Sequence, residues 1–398
     1  MSGERPLSGV KVLELGQIYN GPYCGMLFAY LGADVIKIEP PGGELLRQRS
    51  GRGGVKLPSF MLNSNKRCVV LNLKLPEGKE VLKRMVAQSD VLIENFSAGT
   101  MERLGLGYDV LSAINPRLVY AAGSGYGSYG PYTSYPAMDV TIQAISGGMS
   151  ITGFPDRPPV KAGPAIADFN GGVHLFAGAL AALYRRERTG RGDYVEVAMF
   201  DAMFPTLMSN LGLYLAERKV VPRTANRHGG LATAPYNVYA AADGWVAIFC
   251  VTDAQWQRLC AIMERPELAS PEHPFGDIGG RVRHIDEVDA TVEAWTKPRR
   301  RDEIVALLLE HDVPCAPVRD IEEVVHDPHY RARNMVIPID HPRAGPLVVP
   351  GSPIKFRSAP EVEIEPAHDV GADTVPVLRE FGYSDDEIEA LRARGVLG

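Results

Sequence analysis

VKVLELGQIYNGPYCGMLFAYLGADVIKIE, residues 10–39, switches its hydrophobic period twice. Val10–Leu15 is a short apolar run rich in β-branched residues and stopped by Gly16, the pattern of a buried strand. Tyr23–Leu31 then predicts a helix, and Asp34–Glu39 alternates like a second strand. Strand, turn, helix and strand in so short a span form a βαβ unit, which needs parallel strands and a right-handed crossover. The pattern continues outward through CVVLNL (68–73), a helix around Gly78–Gln88, VLIENF (91–96), a helical 109–114 and RLVYAAG (117–123). Such alternation predicts an α/β fold on a doubly wound parallel sheet.

The rest of the chain bounds what this sheet serves. With 398 residues, 45% of them hydrophobic and 23% charged, a sizeable core is available to two or three domains. The net charge of −6 offers no basic field to nucleic acid or anionic lipid. No unbroken run of eighteen apolar residues occurs, so no membrane span is expected. MSGERPLSGVKVLEL enters a strand directly, without the charged and apolar regions of a signal peptide. Cysteines 24, 68, 250, 260 and 315 are odd in number, scattered and without a CxxC pair, which predicts reduced thiols and a cytoplasmic setting. No metal-binding spacing is present, and no metal is expected.

GDYVEVAMFDAM (192–203) reads as a strand running into a helix that closes a large, Rossmann-like domain over residues 1–217. RKVVPRTANRHGGLATAP (218–235) is a polar linker. A smaller α/β domain follows over 236–329, with strand WVAIFC (245–250), a helix at 254–263, amphipathic stretches at 285–295 and 302–311, and VPCAPV (313–318). Residues 330–398 return to strand-like MVIPID and PLVVPG and a charged terminal helix, a segment expected to rejoin the large domain.

Doubly wound sheets bind ligands beyond the carboxyl ends of their strands. Here those loops are 16–22, 39–52, 72–76, 95–103 and 123–139, several of them rich in Gly, Pro, Asn and Arg. GYGSYG (125–130) has the GxGxxG spacing, but Pro131 and Tyr132 follow it and no helix is expected there. GQIYNG (16–21) lacks the three glycines, although Glu39 stands where a ribose-binding acid would. A nicotinamide cofactor is therefore not expected, while another adenosine-bearing ligand fits the architecture. Arg47, Arg49 and Arg52 make the second loop basic enough to meet phosphates.

One carboxylate stands out. IADFNGGVHLFAGALAALYRRERTG (166–190) puts Asp168 before an apolar run broken by Asn170 and His174. Asp is a preferred N-cap, so it could satisfy the first turn of this helix. A carboxylate held ionised at a helix start could equally attack an activated carbonyl. Spacing does not choose between these roles. Asn170 and His174 read as satisfied core polar groups.

Four stretches carry a resemblance over nearly the full length: LSGVKVLELGQIYNGPYCGMLFAYLGADVIKIEPPGG (7–43), residues 65–127 from NKRCVVLNLK to GSGYG, ADFNGGVHLFAGALAALYRRERTGRGDYVEVAMFDA (167–202), and HDVPCAPVRDIEEVVHDPHYRARNMV (311–336). In order and spacing they resemble the class III coenzyme A transferases, the family of formyl-CoA transferase, carnitine-CoA transferase and the α-methylacyl-CoA racemases. The resemblance implies that Asp168 is the nucleophile. It would open a donor acyl-CoA thioester, pass through an acyl-aspartyl anhydride and an aspartyl-CoA thioester, and hand CoA to a small carboxylic acid. No permanently bound cofactor is implied, since the CoA thioester is substrate. The implied CoA groove takes in Tyr19, Leu71, Lys74, Asn95, Phe96 and Arg103, with Lys74 and Arg103 meeting phosphates. An intertwined homodimer is implied as well.

Two departures accompany the match. Tyr19 stands where formyl-CoA transferase has a Gln of its acceptor site, and NRHGGLATAP (226–235) keeps only Gly229 and Gly230 of a glycine-rich lid. Succinyl-CoA or another dicarboxylyl-CoA is the donor expected from family frequency, with formate and oxalate, carnitine and aromatic acids as rivals. Racemases of this family carry a His immediately before the Asp that matches Asp139. Here Met138 fills that position, and a thioether does not abstract an α-proton. The remaining alternative is a catalytically silent CoA-binding subunit, against which the presence of Asp168 argues.

Overall fold

A computed structural model describes residues 4–48, 51–220 and 222–397. The chain divides into two compact units. One comprises Met1–Ser146, Gly163–Pro205 and His326–Gly398, the other Gly147–Ala162 and Thr206–Val325. Residues 147–162 and 206–217, expected in the large domain, fall in the smaller unit. The polar stretch 218–235 lies inside that smaller unit.

The first unit holds six strands: β1 (Lys11–Glu14), β2 (Asp34–Glu39), β3 (Lys66–Val70), β4 (Val91–Glu94), β5 (Val119–Ser124) and β6 (Tyr194–Ala198). They pair in the order β3-β2-β1-β4-β5-β6, all parallel. Successive strand side chains point to opposite faces, and the core divides accordingly. Leu13, Ile36, Val69, Leu92 and Tyr120 face one layer, completed by Pro76–Val86 and by Val377, Leu378, Phe381 and Ile388 of the C-terminal segment. Val12, Val35, Val91, Ile93, Val119 and Ala121 face the other layer. A parallel sheet covered on both sides reads as near-continuous apolar strands, which is why the sequence pattern was so plain.

Two helices build the second layer, α1 (Asn20–Tyr30) and α2 (Ile166–Thr189). Every residue of α1 except Tyr23 is buried. The helix begins at Asn20, three residues before the expected start, because Gly21 and Pro22 are accommodated in its first turn. Helix α2 buries Leu175, Phe176, Ala179, Ala182 and Leu183 at the three- and four-residue spacing of one face. Full burial of such side chains contributes about 1.5–3 kcal/mol for each large one. Gly172 permits the close approach of the two helices, since a Cβ there would lie 2.7 Å from the Asn20 carbonyl oxygen. With a mean hydropathy of 1.3, α2 is the one helix among the described residues long and apolar enough to cross a membrane. Asn170 and His174 hid that from a search for unbroken apolar runs. Its packing against α1 and the sheet gives the apolar face a partner within the unit.

Strand β3 is a sheet edge, and the returning C-terminal segment covers it. The Cys68 and Val70 amides donate to Asp373 Oδ2 (2.7 Å) and Thr374 Oγ1 (3.1 Å), and the Asp373 amide donates to the Cys68 carbonyl (3.0 Å). Edge groups paired in this way are unavailable to another chain. The smaller unit has its own antiparallel sheet, Cys315–Pro317, Gly244–Phe249 and Tyr236–Ala241, in that order. Its core gathers Val246, Ile248, Trp256, Leu259, Val288, Val292, Ile304 and Leu308. All five cysteines are free thiols, four of them buried and Cys315 half-buried.

Candidate active site

With β1 beside β4, the chain progresses outward in both directions from this pair. In a doubly wound sheet that switch point opens a crevice at the carboxyl ends of the strands. A cavity of about 490 Å³ lies there. Gln17, Ile18 and Asn20 line it from the turn after β1, Asn95, Phe96 and Arg103 from the segment after β4, and Gly125, Tyr126 and Gly127 from the loop after β5. Asp168 and Met199 complete the wall. A second groove of about 460 Å³ is lined by Gln17, Pro40, Leu71, Lys74 and Thr100. Phe96 and Gln17 belong to both.

Of the residues singled out from sequence, Asn95, Phe96, Arg103 and Asp168 thus meet at the first cavity, and Leu71, Lys74 and Phe96 at the second. Lys74 and Arg103 are exposed and make no ion pair among the described residues; Arg103 donates to Thr100 Oγ1 at 2.8 Å. Tyr19 lines neither space. It stacks on Phe169, with ring centroids 5.6 Å apart, while Tyr23 meets the same ring edge-on at 4.8 Å. Two aromatic rings therefore grip the residue that follows Asp168. Gly229 and Gly230 lie in the smaller unit, where Asn210 Nδ2 donates to the Gly229 carbonyl (3.1 Å) and the Gly230 amide to His228 Nδ1 (3.1 Å).

Arg47 is not free for phosphates: its guanidinium donates to Glu39 Oε2 at 2.8 Å and also to the His368 carbonyl. That pair commits Glu39 as well. Arg49 lies outside the described residues, and Arg52 is exposed. No helix opens after GYGSYG, and the next one is Asp139–Ile145.

The structure corrects the reading of Asp168 as a helix cap. Helix α2 starts at Ile166, and Ala165 at the N-cap position supplies no side-chain bond. Asp168 sits inside the first turn, 6% exposed. The cap is Asp139. Its Oδ1 accepts the Ala167 amide at 2.8 Å and the Asp168 amide at 3.3 Å, and its Oδ2 accepts Gln143 Nε2 at 2.6 Å. The Phe169 amide donates to the Ala165 carbonyl, so these first-turn amides are already engaged and do not form an oxyanion pocket. Asn20 Nδ2 donates to the Asp168 carbonyl at 3.3 Å, tying the first turn of the fold to the carboxylate's own peptide. Asn170 is satisfied as expected, by the Ala202 carbonyl at 2.6 Å. His174 is exposed rather than core, with Nδ1 against the Asn170 carbonyl at 2.8 Å.

Sequence reasoning missed Gln17, Asn20 and Asp139. Gln17 and Asn95 exchange two bonds, the Gln17 amide to Asn95 Oδ1 (2.7 Å) and Asn95 Nδ2 to the Gln17 carbonyl (2.9 Å), across adjacent strand ends. Only strand order brings them together, and no local pattern encodes it. Glu94, at the end of β4, is buried and accepts the Phe96 amide at 2.8 Å. Burial pushes its carboxyl up to about 8, Glu102 and Glu196 adding to the effect and the amide bond opposing it.

A buried carboxylate thus stands on the wall of a crevice at the sheet's switch point. The chain belongs to CoA-transferase family III, whose model matches residues 7–374. It is an enzyme of the CoA-transferase type, and CoA-transferases of this family act on CoA thioesters. A formyl-CoA:oxalate CoA-transferase of Streptomyces coelicolor is 36% identical over 99% of this chain and 99% of its own length. One from Escherichia coli is 36% identical over 97% and 98%. Among solved structures, a CAIB/BAIF family protein from Brucella suis superposes with a TM-score of 0.83 at 35% identity, covering 95% of this chain and 99% of that one.

Proposed function

We propose that Asp168 is the nucleophile of an acyl-CoA:carboxylate CoA-transferase. Its carboxylate attacks the donor thioester carbonyl, forming an acyl-aspartyl anhydride and releasing CoA thiolate. The thiolate then attacks the aspartyl carbonyl, giving aspartyl-CoA and freeing the donor acid. The acceptor carboxylate attacks that thioester, and the released thiolate takes the acceptor acyl group from the second anhydride, restoring Asp168. Each intermediate is as activated as the thioester it replaces, so acyl potential is kept as long as water stays out.

The observation that carries this reading is the position of Asp168: almost wholly buried, yet on the wall of a 490 Å³ cavity at the sheet's switch point. In this reading the groove with Leu71, Lys74 and Phe96 takes the CoA moiety, Lys74 and Arg103 meet its phosphates, and Asn95, bonded to Gln17, forms part of the cavity wall it shares with Asp168. The relatives' names put formyl-CoA as donor and oxalate as acceptor at the head of the candidate substrates. Tyr19 engages Phe169 where a side chain of the acceptor site was expected, so succinyl-CoA and other dicarboxylyl-CoA thioesters stay in the panel. We place the enzyme in the cytoplasm, in keeping with its free thiols. We also assign a homodimer, because Met208–Glu217 buries no residue although it carries Met208, Leu211, Leu213 and Leu215.

The test is a panel of acyl-CoA donors against carboxylate acceptors, read by mass spectrometry. Wild type forms new acyl-CoA with at least one pair, and Asp168→Ala forms none. Asp168→Asn regains activity slowly if the amide is hydrolysed in place. Full exchange by Asp168→Ala would overturn the assignment.

A further inference from the structure

The turn that brings Gln17, Ile18 and Asn20 to the cavity rests on three buried charges that the proposed chemistry does not use. Glu14 ends β1, Lys37 lies opposite it in register on β2, and Lys66 opens β3; they are 0%, 1% and 2% exposed. Lys37 Nζ lies 2.8 Å from Glu14 Oε1 and also donates to the Gly16 carbonyl. Lys66 Nζ lies 2.7 Å from Glu14 Oε2 and donates to the Pro22 carbonyl (2.7 Å) and Asn63 Oδ1 (3.0 Å). The segment 16–22 is therefore held near each end by one ammonium, and both ammoniums share one carboxylate. The backbone makes room for it: a Cβ at Gly25 would lie 2.6 Å from Glu14 Oε2.

What the segment carries explains why such a clamp is useful. Ile18 sits at φ +62°, a left-handed conformation that a β-branched residue holds only when its surroundings impose it. Gln17 is locked to Asn95, and Asn20 bonds the Asp168 carbonyl. Burying two ammoniums with one carboxylate is a poor way to gain stability, because apolar residues of similar volume usually do as well or better. The strain on Lys66 shows in its ammonium, which burial pushes down to about 8; Glu14 opposes that shift, while Lys37 adds to it and Cys24 faces the same site. Fixed donors aimed at two turn carbonyls are what this arrangement provides and an apolar plug does not.

We propose that Glu14, Lys37 and Lys66 are positioning residues that set the Gly16–Pro22 turn, and through it the Gln17–Asn95 lock and the Asn20–Asp168 bond, in the geometry acyl transfer requires. This rests on Asp168 as the nucleophile. The test is Lys66→Met, which keeps the length of the side chain and removes its charge and donors. Its melting temperature falls, because Glu14 Oε2, the Pro22 carbonyl and Asn63 Oδ1 each lose a buried donor, and kcat per active site of the folded variant falls roughly tenfold, as a small misplacement of reacting groups would cause. The KM for acyl-CoA changes by less than the kcat. A purely structural role predicts the same loss of melting temperature with wild-type kcat per folded active site, and that result overturns the proposal. If Lys66→Met does not fold, Lys37→Met, which leaves Glu14 paired with Lys66, is read in the same way. Asp168 labelling in wild type separates the two claims: no adduct on Asp168 sinks the nucleophile, whereas an adduct with unchanged kcat in the variant sinks only the clamp.

Discussion

Glu94 shows how the site handles acid at the level of one residue. Its carboxyl is buried at the strand end below Phe96, with Glu102 and Glu196 nearby, and titrates at about 8. Unfolded, it would titrate in the ordinary range near 4.3. Between those values the folded protein keeps a proton that the unfolded chain has lost, so stability falls as pH rises through this window. Glu94→Gln, a neutral side chain that still accepts the Phe96 amide, removes that slope. Thermal melts should show the variant matching wild type near pH 4 and melting higher at pH 8.5, each 1 kcal/mol of relief moving the midpoint by about 2–4 °C. An equal midpoint at both pH values would mean that Glu94 is ionised in the folded protein. Residues of this sort were only partly legible in sequence. VLIENF marks a strand with Asn95 and Phe96 just past its end, but the raised titration of Glu94 depends on burial and on Glu102 and Glu196, which lie outside that stretch.

At the scale of elements, the start of α2 depends on a residue 28 positions upstream. Asp139 Oδ1 takes the Ala167 and Asp168 amides that the helix leaves over. Asp139→Ala strands both in a nearly buried turn and should cost about 2 kcal/mol. In a melt that is a drop of about 4–8 °C, accompanied by a fall in kcat because the peptide of Asp168 loses an anchor. Asp139→Asn, which keeps an acceptor oxygen, should restore most of both. Wild-type kcat in Asp139→Ala would show that the cap has no part in placing the carboxylate. The capping rules applied to sequence placed an Asp at the right helix but chose the wrong one, because those rules look only at adjacent positions. Strands fared better. Their apolar periodicity is a local signal, and all six strands of the large sheet were foreshadowed by runs that begin within two residues of the observed start.

For the whole molecule, the order β3-β2-β1-β4-β5-β6 brings together segments far apart in sequence and makes the crevice. That crevice was legible as a class of place, the carboxyl ends of the strands, while its walls depended on which strands became neighbours. The boundary between the units was less legible, since residues 147–162 join the smaller unit through contacts rather than through composition. The helix at Met208–Glu217, which leaves Met208 and Leu215 exposed, predicts that sedimentation at micromolar concentration reports a dimer mass; Met208→Lys together with Leu215→Lys should shift that toward the monomer. A monomer mass for wild type would leave this apolar surface without its proposed partner. The central claim is the passage of an acyl group through Asp168, and atom balance tests it most directly. In the proposed sequence, the acceptor carboxylate leaves one of its oxygens on the aspartate when CoA thiolate takes the acyl group. One turnover with a heavy-oxygen-labelled acceptor, followed by proteolysis and mass spectrometry, should find one labelled oxygen on Asp168. Labelled acyl-CoA formed in full while Asp168 stays unlabelled would contradict the account.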